Sequence, residues 1–359
     1  MPHWIRVYVV PAAVFQAVLI GGGYGTGREA AEFVTQAGPV GGIVAVGFFF
    51  LALTLVLMAS FEFARTFQTY DYRHFFQQLL GSAWWLYEVL AVLLFVLVLA
   101  VVISASSTMA LDWFGIPVLY TSIGIVIVTA VVLSIGQAAV EGLLTVWAGL
   151  FSVFLIVIVI ITLNHQGSGP GDGDWSMWSS AKGFQYASYN MAAIPVLLYT
   201  LKSLESRKEA LLAALITGIA GALPALLMHI VLSEHLPDIL SEALPMMRLI
   251  ESLNQPWIAY VYAFLLIGTI VQTAIGALEG VVQRIDGLRT DRGRALLSSL
   301  ARAILGALVL MLASYASTIG VVTLIGSGYG TLAWGFMVVY AIPAVTIGVW
   351  KIRQTSVQP

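Results

Sequence analysis

The run Gly21-Gly22-Gly23-Tyr24-Gly25-Thr26-Gly27 sets five glycines among seven residues, inside an apolar stretch long enough to cross a bilayer. A glycine in a helix interior costs about 1 kcal/mol relative to alanine, so the cluster predicts a local break rather than a continuous helix. Peptide groups freed at mid-membrane depth are tolerated only where they line a cavity or bind something. The cluster therefore limits the chain to a membrane fold in which one interrupted helix serves a site.

Composition agrees. The 359 residues are 60% hydrophobic and 9% charged, with a mean hydropathy of +0.94, which predicts an all-α polytopic membrane protein with no sizeable soluble domain. There is no cysteine, which excludes disulfides, thiol chemistry and cysteine-ligated metals. The net charge of -2 says little about partners, because placement matters more than the sum. The apolar run from Val7 leads directly into the glycine cluster and shows no cleavage site, so it reads as a first membrane span rather than a signal peptide.

Stretches of spanning length, about 20 residues each, occur at 5-36, 40-64, 84-111, 116-135, 140-163, 183-201, 208-232, 257-281, 295-313 and 330-350, numbered here helices 1 to 10. The turn-rich Gly167 to Asp174 separates helices 5 and 6, and Ser233 to Gln255 separates 7 and 8. Residues 316-328 are short and glycine-interrupted and are expected to form a half-helix and loop between helices 9 and 10. With the N-terminus inside, Arg6, Arg65, Arg73, Lys202, Arg207, Lys208, Arg284, Arg289, Arg292, Arg294, Lys351 and Arg353 collect on one side, leaving Lys182 and Arg248 opposite. This lopsided split predicts an even number of spans and two cytoplasmic termini.

Five helices, an outer loop and five more helices make the second half enter the membrane from the opposite side, as an inverted repeat requires. The expected layout is a first repeat over 1-163, an extracellular loop over 164-182, a second repeat over 183-353 and a cytoplasmic tail over 354-359. Helices 1 and 6 are then equivalent. Helix 6 carries Tyr186-Ala187-Ser188-Tyr189-Asn190 and then Pro195, which predicts a kink or unwinding near Ser188 to Ile194. Matched breaks point to a transporter binding site, whereas glycine and proline in either helix alone also serve ordinary packing. Gly25-Thr26-Gly27 is not a phosphate loop, since it follows no strand and lacks the Lys-Ser/Thr ending.

The run Ile20 to Glu29, with Ser188-Tyr189-Asn190 and Gly328-Tyr329-Gly330, resembles the YkvI-like bacterial membrane proteins of the amino acid-polyamine-organocation (APC) superfamily. The resemblance extends over nearly the whole helix layout, and its motifs are short. It implies the leucine-transporter (LeuT) fold of five plus five inverted helices, with helices 1 and 6 broken at mid-membrane. It also implies a secondary transporter in the bacterial cytoplasmic membrane, with a central site between helices 1, 3, 6 and 8, and it names no substrate. Metal-ion transporters of that fold carry Asp-Pro-Gly-Asn in helix 1 and a methionine beside the helix 6 break. Here helix 1 has no Asp, and Met191 next to Asn190 lacks a carboxylate partner, so transition-metal transport is not expected.

A broken helix offers N-H groups at the start of its second half and carbonyls at the end of its first. Gly21, Gly22, Gly23, Tyr24, Gly25, Thr26 and Gly27 are therefore expected to receive a substrate carboxylate, with Tyr186, Ser188, Tyr189 and Asn190 of helix 6 as hydrogen-bonding partners. The expected solute is an amino acid or a related carboxylate or zwitterion. Carbonyls near Leu19 and Gly22, with Thr269 and Thr273 of helix 8, are candidates for a Na+ site, although sodium-coupled members of the fold use adjacent hydroxyls and these are one turn apart. Proton-coupled relatives place a lysine on helix 5, and none is present, so Glu29 is the candidate proton carrier. Its other reading is a hydrogen bond to a neighbouring helix end. Arg28 and Glu32, four apart, are expected to pair on one helix face, whereas Glu62 with Arg65, and Glu279, are expected in interfacial or interhelical pairs.

No cofactor is expected beyond Na+ or H+ as coupling ion, and the partners are a small-molecule substrate and the lipid bilayer, with no nucleic acid and no protein partner. A channel is disfavoured because the two breaks are inequivalent. An enzyme is disfavoured because His3, His74, His165, His229 and His235 are scattered without ligand spacing. A non-transporting ligand sensor on a transporter scaffold and a facilitated-diffusion carrier remain as alternatives.

Overall fold

A computed structural model describes residues 1-135, 137-164 and 175-357. The described residues are nearly all helical and contain no strand. Six helices are long and apolar enough to cross a membrane, at Arg28–Phe67, Tyr72–Phe114, Arg207–Ser233, Pro256–Thr290, Leu300–Ser317 and Val321–Thr355, and Ile5–Leu19 and Gly149–Asn164 are shorter apolar helices. The expected loop Gly167 to Asp174, and with it His165, lies outside the described residues.

The predicted stretches locate the helices closely. Helix 2 forms Gly38–Phe67, helix 3 Trp85–Phe114, helix 4 Val118–Ile135, helix 5 Gln137–Asn164 and helix 7 Arg207–Ser233. Ser206 and Glu209 open helix 7 with a reciprocal cap, the Ser206 hydroxyl accepting the Glu209 N-H at 3.2 Å while the Glu209 carboxylate accepts from the Ser206 N-H. Between helices 2 and 3 lies the amphipathic helix Tyr72–Leu80, whose first turn Asp71 caps.

Two boundaries differ. Helix 8 runs from Pro256 to Asp291, ten residues beyond its apolar stretch, because its polar end is paired: Arg284 with Glu88 at 3.1 Å and Asp286 with Arg302 at 2.7 Å. Residues 316-328 are not a half-helix and loop. Helix 9 ends at Ser317, a turn closes at Gly320 (φ +92°), and helix 10 begins at Val321. Helix 10 absorbs its glycines by winding Leu324–Tyr329 as a π-helix, which keeps every residue helical while loosening the spacing.

Helices 2 and 7 pack through small residues. The His229 ring of helix 7 fills the space beside Gly42, with Nε2 2.9 Å from the Pro39 carbonyl and Nδ1 3.2 Å from Thr35 Oγ1. Gly218 meets Thr54, and Gly221 lies against Phe15 and Leu53.

Basic residues near the two termini and at helix ends tie neighbouring elements together. His3 reaches Glu209 at the start of helix 7, Arg73 lies over Gly287 near the end of helix 8, and Lys351 donates to the Gln78 carbonyl at 2.6 Å. At the opposite end Glu32 accepts from Arg28 at 2.7 Å and from Lys182 at 3.0 Å, and Arg28 also donates to the Leu240 and Glu242 carbonyls. The expected Arg28–Glu32 pair is thus the centre of a larger tie between helix 1, the start of helix 6 and the connection between helices 7 and 8.

Candidate solute-binding site

Helix 1 is interrupted where the glycines predict. Val10–Leu19 ends at Ile20 (ψ 79°) and extended Gly21 (φ -101°, ψ -179°), and the chain restarts as Gly22–Gly25. A second interruption falls at Gly27, in the left-handed region at φ +79°, before Arg28–Phe33. A side chain at Gly27 would be strained there and would press on Met246, whose N-H donates to the Thr26 carbonyl at 2.9 Å. Thr26 stitches the step internally: its hydroxyl donates to the Gly23 carbonyl at 2.7 Å and accepts the Arg28 N-H at 3.2 Å.

The freed groups around the first break have specific fates. The Gly21 N-H turns back to the Leu19 carbonyl at 2.8 Å, and the Gly22 N-H donates to Thr273 Oγ1 at 2.8 Å. Thr273 Oγ1 donates in turn to the Thr269 carbonyl, and Thr269 Oγ1 to the Leu265 carbonyl, both at 2.8 Å. Thr273 therefore stands at the break as expected, but helix 1 turns a donor toward it rather than a carbonyl. The Leu19 carbonyl, the other candidate from the first half of helix 1, accepts the Gly21 N-H. No acceptor for the Gly23 or Tyr24 N-H stands among the described residues, as the first turn of a restarted helix leaves them.

Helix 6 interrupts its α-helical ladder within the stretch that Pro195 predicts, by a 3-10 turn rather than by extended residues. Lys182–Asn190 passes through a 3-10 turn at Met191–Ala193 into Ile194–Leu197 and a 3-10 segment Leu198–Ser203, with right-handed helical dihedrals at Asn190, Met191, Ala193, Ile194 and Leu197. The helix tightens instead of opening. Local side chains make that possible: Ser188 donates to the Phe184 carbonyl and Asn190 Nδ2 to the Tyr186 carbonyl, both at 2.8 Å, so polar groups stay in the helix's own ladder. Of the helix 6 candidates, Ser188 and Asn190 serve their own backbone, while Tyr186 and Tyr189 face the centre.

The centre itself is a buried carboxyl in an aromatic shell. Glu29 Oε2 accepts the Tyr189 hydroxyl at 2.5 Å, and Oε1 lies so close to Gly23 that a Cβ there would collide with it. Tyr186 stacks on Phe33 (5.6 Å between centroids, 11° between planes), contacts Phe49 at 4.5 Å and neighbours Tyr189 at 5.7 Å. Tyr189 meets Tyr329 of helix 10 at 4.8 Å. The Tyr24 and Tyr186 hydroxyls are buried and have no hydrogen-bond partner among the described residues. Helix 3 closes the remaining side with Val101 against Gly23 and Val102 against Gly22, and helix 8 adds Ile270. Tyr24, Glu29, Tyr186, Tyr189 and Tyr329 are each no more than 6% exposed, so the centre is covered from both ends.

The sequence reading placed the site between helices 1, 3, 6 and 8 and missed Phe33, Phe49 and the part played by Tyr329 of helix 10. Tyr329 sits in Gly328-Tyr329-Gly330, a signal that was visible without a role. Glu62 and Arg65 pair at 2.7 Å within helix 2, and among the described residues Glu279 accepts from Gln283, four residues on in its own helix, at 3.1 Å. Among the described residues no three of His, Asp and Glu come together as a metal-holding group.

No protein-family model matches the chain, and no curated protein does. Solved structures do. A manganese transporter of Eremococcus coleocola, crystallised with an aromatic bis-isothiourea compound, superposes with a TM-score of 0.59 at 12% identity over 95% of this chain and 78% of its own. A point variant of the same transporter gives 0.59 at 11% identity with the same coverage. A Na+-coupled sialic acid symporter in its substrate-bound outward-open state aligns at TM-score 0.48 and 13% identity, over 94% of this chain and 87% of that one. At such identity the manganese-transporter likeness shows the fold alone, and that fold is the all-helical LeuT architecture of membrane transporters.

Proposed function

We propose that the chain is a secondary transporter of a small solute, operating by alternating access around the break in helix 1, and that it is not an enzyme. The observation that carries this reading is the Glu29–Tyr189 contact. It joins helix 1 to helix 6 just beyond the interruptions of helix 1 at Gly21 and Gly27, beside two tyrosine hydroxyls that have no hydrogen-bond partner among the described residues. Charged groups are rare within membrane helices and are kept where a solute or ion passes.

The solute class we propose is an amino acid or a related carboxylate or zwitterion. The Gly23 and Tyr24 N-H groups, the tyrosine hydroxyls and Glu29 supply donors and acceptors for both ends of such a molecule. The manganese carried by the structural neighbour is that protein's cargo. Here helix 1 has no Asp, and Met191 has no carboxylate partner to make a divalent site. The resemblance to YkvI-like APC proteins, a five-plus-five inverted arrangement over 1-163 and 183-353, and a bacterial cytoplasmic membrane with both termini inside belong to the same proposal. The convergence of basic residues at the end holding both termini supports that orientation.

Coupling is proposed through Glu29 for H+ or through Thr273 for Na+, and the hydrogen bond from Gly22 to Thr273 favours the former. Uptake into proteoliposomes under imposed gradients tests the whole reading. Accumulation driven by a proton gradient and lost in Glu29→Gln is the expected result. Saturable binding with no flux under either gradient overturns it in favour of a sensor.

A further inference from the structure

The amides that the sequence assigns to a substrate carboxylate belong to a stretch of helix 1 already faced by the protein's own carboxyl, because Glu29 Oε1 lies against Gly23. An anionic group arriving there would meet like charge at contact distance, in a place shielded from water. Glu29 is 6% exposed, receives a hydrogen bond from Tyr189 alone, and forms no ion pair with Lys, Arg or His among the described residues. The nearby charges are committed elsewhere: Arg28 and Lys182 both bind Glu32. A buried carboxyl without a basic partner needs a proton or an external cation to be stable as placed.

Its surroundings are built for a cation. Tyr24 follows Gly23 in helix 1, Tyr189 of helix 6 donates to the carboxylate, and Tyr186 of helix 6 and Tyr329 of helix 10 contact the Tyr189 ring at 5.7 and 4.8 Å. Phe33 and Phe49 extend the aromatic surface, Val101 of helix 3 is apolar, and none of these side chains brings a positive charge. Ring faces attract an ammonium, and the Tyr24 and Tyr186 hydroxyls are free to accept from one.

We propose that this centre is an ammonium site: the solute enters with a positively charged amine as the counter-ion of Glu29, in competition with a proton on the same carboxylate. The inference rests on the central site described above and names the part of the solute that the site reads. A carboxylate on the solute is then dispensable and an amine is not. Because proton and ammonium occupy one carboxylate in turn, amine binding releases a proton.

Thermal unfolding of the purified protein tests this with three size-matched series: primary amines from propylamine to phenethylamine, the corresponding α-amino acids, and the corresponding carboxylates. At least one amine is expected to stabilise, no carboxylate is, and the apparent Kd of the amine should tighten by up to tenfold per pH unit where Glu29 still holds its proton. Glu29→Gln should abolish the effect while its unliganded unfolding transition stays cooperative. Calorimetry on the wild-type protein in two buffers of different ionisation enthalpy adds a readout that needs no variant, and up to one proton released per amine bound is expected. Stabilisation by a carboxylate, an amine effect that survives Glu29→Gln, amine binding without proton release, or a series in which no amine acts overturns the ammonium site. Flux separates the two readings. Amine binding without transport removes the transporter and keeps the site, whereas transport of a neutral or anionic solute unaffected by Glu29→Gln does the reverse.

Discussion

Thr273 Oγ1 of helix 8 accepts the Gly22 N-H of helix 1 at 2.8 Å, so a side chain substitutes for the backbone carbonyl that the break withdraws. An N-H left unpaired in this setting costs about 1–3 kcal/mol. Thr273→Val, equal in shape, should therefore lower the apparent melting temperature, and Thr273→Ser should restore most of it. The same pair of variants reads out coupling: if Na+ is used through Thr273, the Val form loses sodium dependence and the Ser form keeps it.

Close approach, not flexibility, is what fixes Gly23. A methyl there would overlap Glu29 Oε1, so Gly23→Ala should displace the carboxyl and reduce uptake by at least tenfold, with a stability loss of about 1–3 kcal/mol from overpacking. Gly47 of helix 2 has open space around it, and Gly47→Ala should be neutral or stabilising by up to about 1 kcal/mol. Uptake and unfolding measured on the two variants together separate a site effect from a general intolerance of added methyls.

Glu88 and Arg284 form a second buried pair, 3.1 Å apart and only 10–11% exposed, with the guanidinium 4.7 Å above the Tyr72 ring and 4.8 Å above Phe95. Removing one partner of such a pair strands the other charge, at about 3–5 kcal/mol. Glu88→Gln should cost that much, and the double variant Glu88→Gln with Arg284→Met should cost less than either single change. Unfolding of the four proteins in one thermodynamic cycle is the check.

At the opposite end the two cations on Glu32 should behave differently. The Arg28 side chain is 4% exposed and also holds the Leu240 and Glu242 carbonyls, whereas the Lys182 side chain is 37% exposed and makes one contact. Lys182→Gln is expected to change stability by less than about 1 kcal/mol. Arg28→Gln should cost several times more, because it withdraws the guanidinium from two carbonyls and from one oxygen of Glu32. Melting temperatures at low and high salt distinguish them, since only the Lys182 contribution is readily screened.

Much of this architecture could be read from one sequence because the bilayer imposes a length and an apolarity on every span. Gly38–Phe67 and Arg207–Ser233 fall within three residues of their apolar stretches at each end. The errors fall where side chains overrule hydropathy. Helix 8 outruns its apolar stretch because Arg284 and Asp286 find partners, and helix 10 takes in 321-328 because glycines can wind as a π-helix as well as break one. The helix 1 break was visible in its glycines. That helix 6 tightens instead of opening was not, since Pro195 permits both outcomes and the choice is made by Ser188 and Asn190 bonding to their own ladder. Glu29 was singled out, but its partner Tyr189 lies 160 positions away, a pairing that no local pattern encodes.

The imidazole of His229, seated beside Gly42 and bonded to Pro39 and Thr35, acts as a bolt through the contact between helices 2 and 7. Sliding one helix along the other would have to lift the ring out of its slot and break both of its hydrogen bonds at once. Relative motion of helices 2 and 7 along this seam is thereby opposed, and the two are held together as one unit.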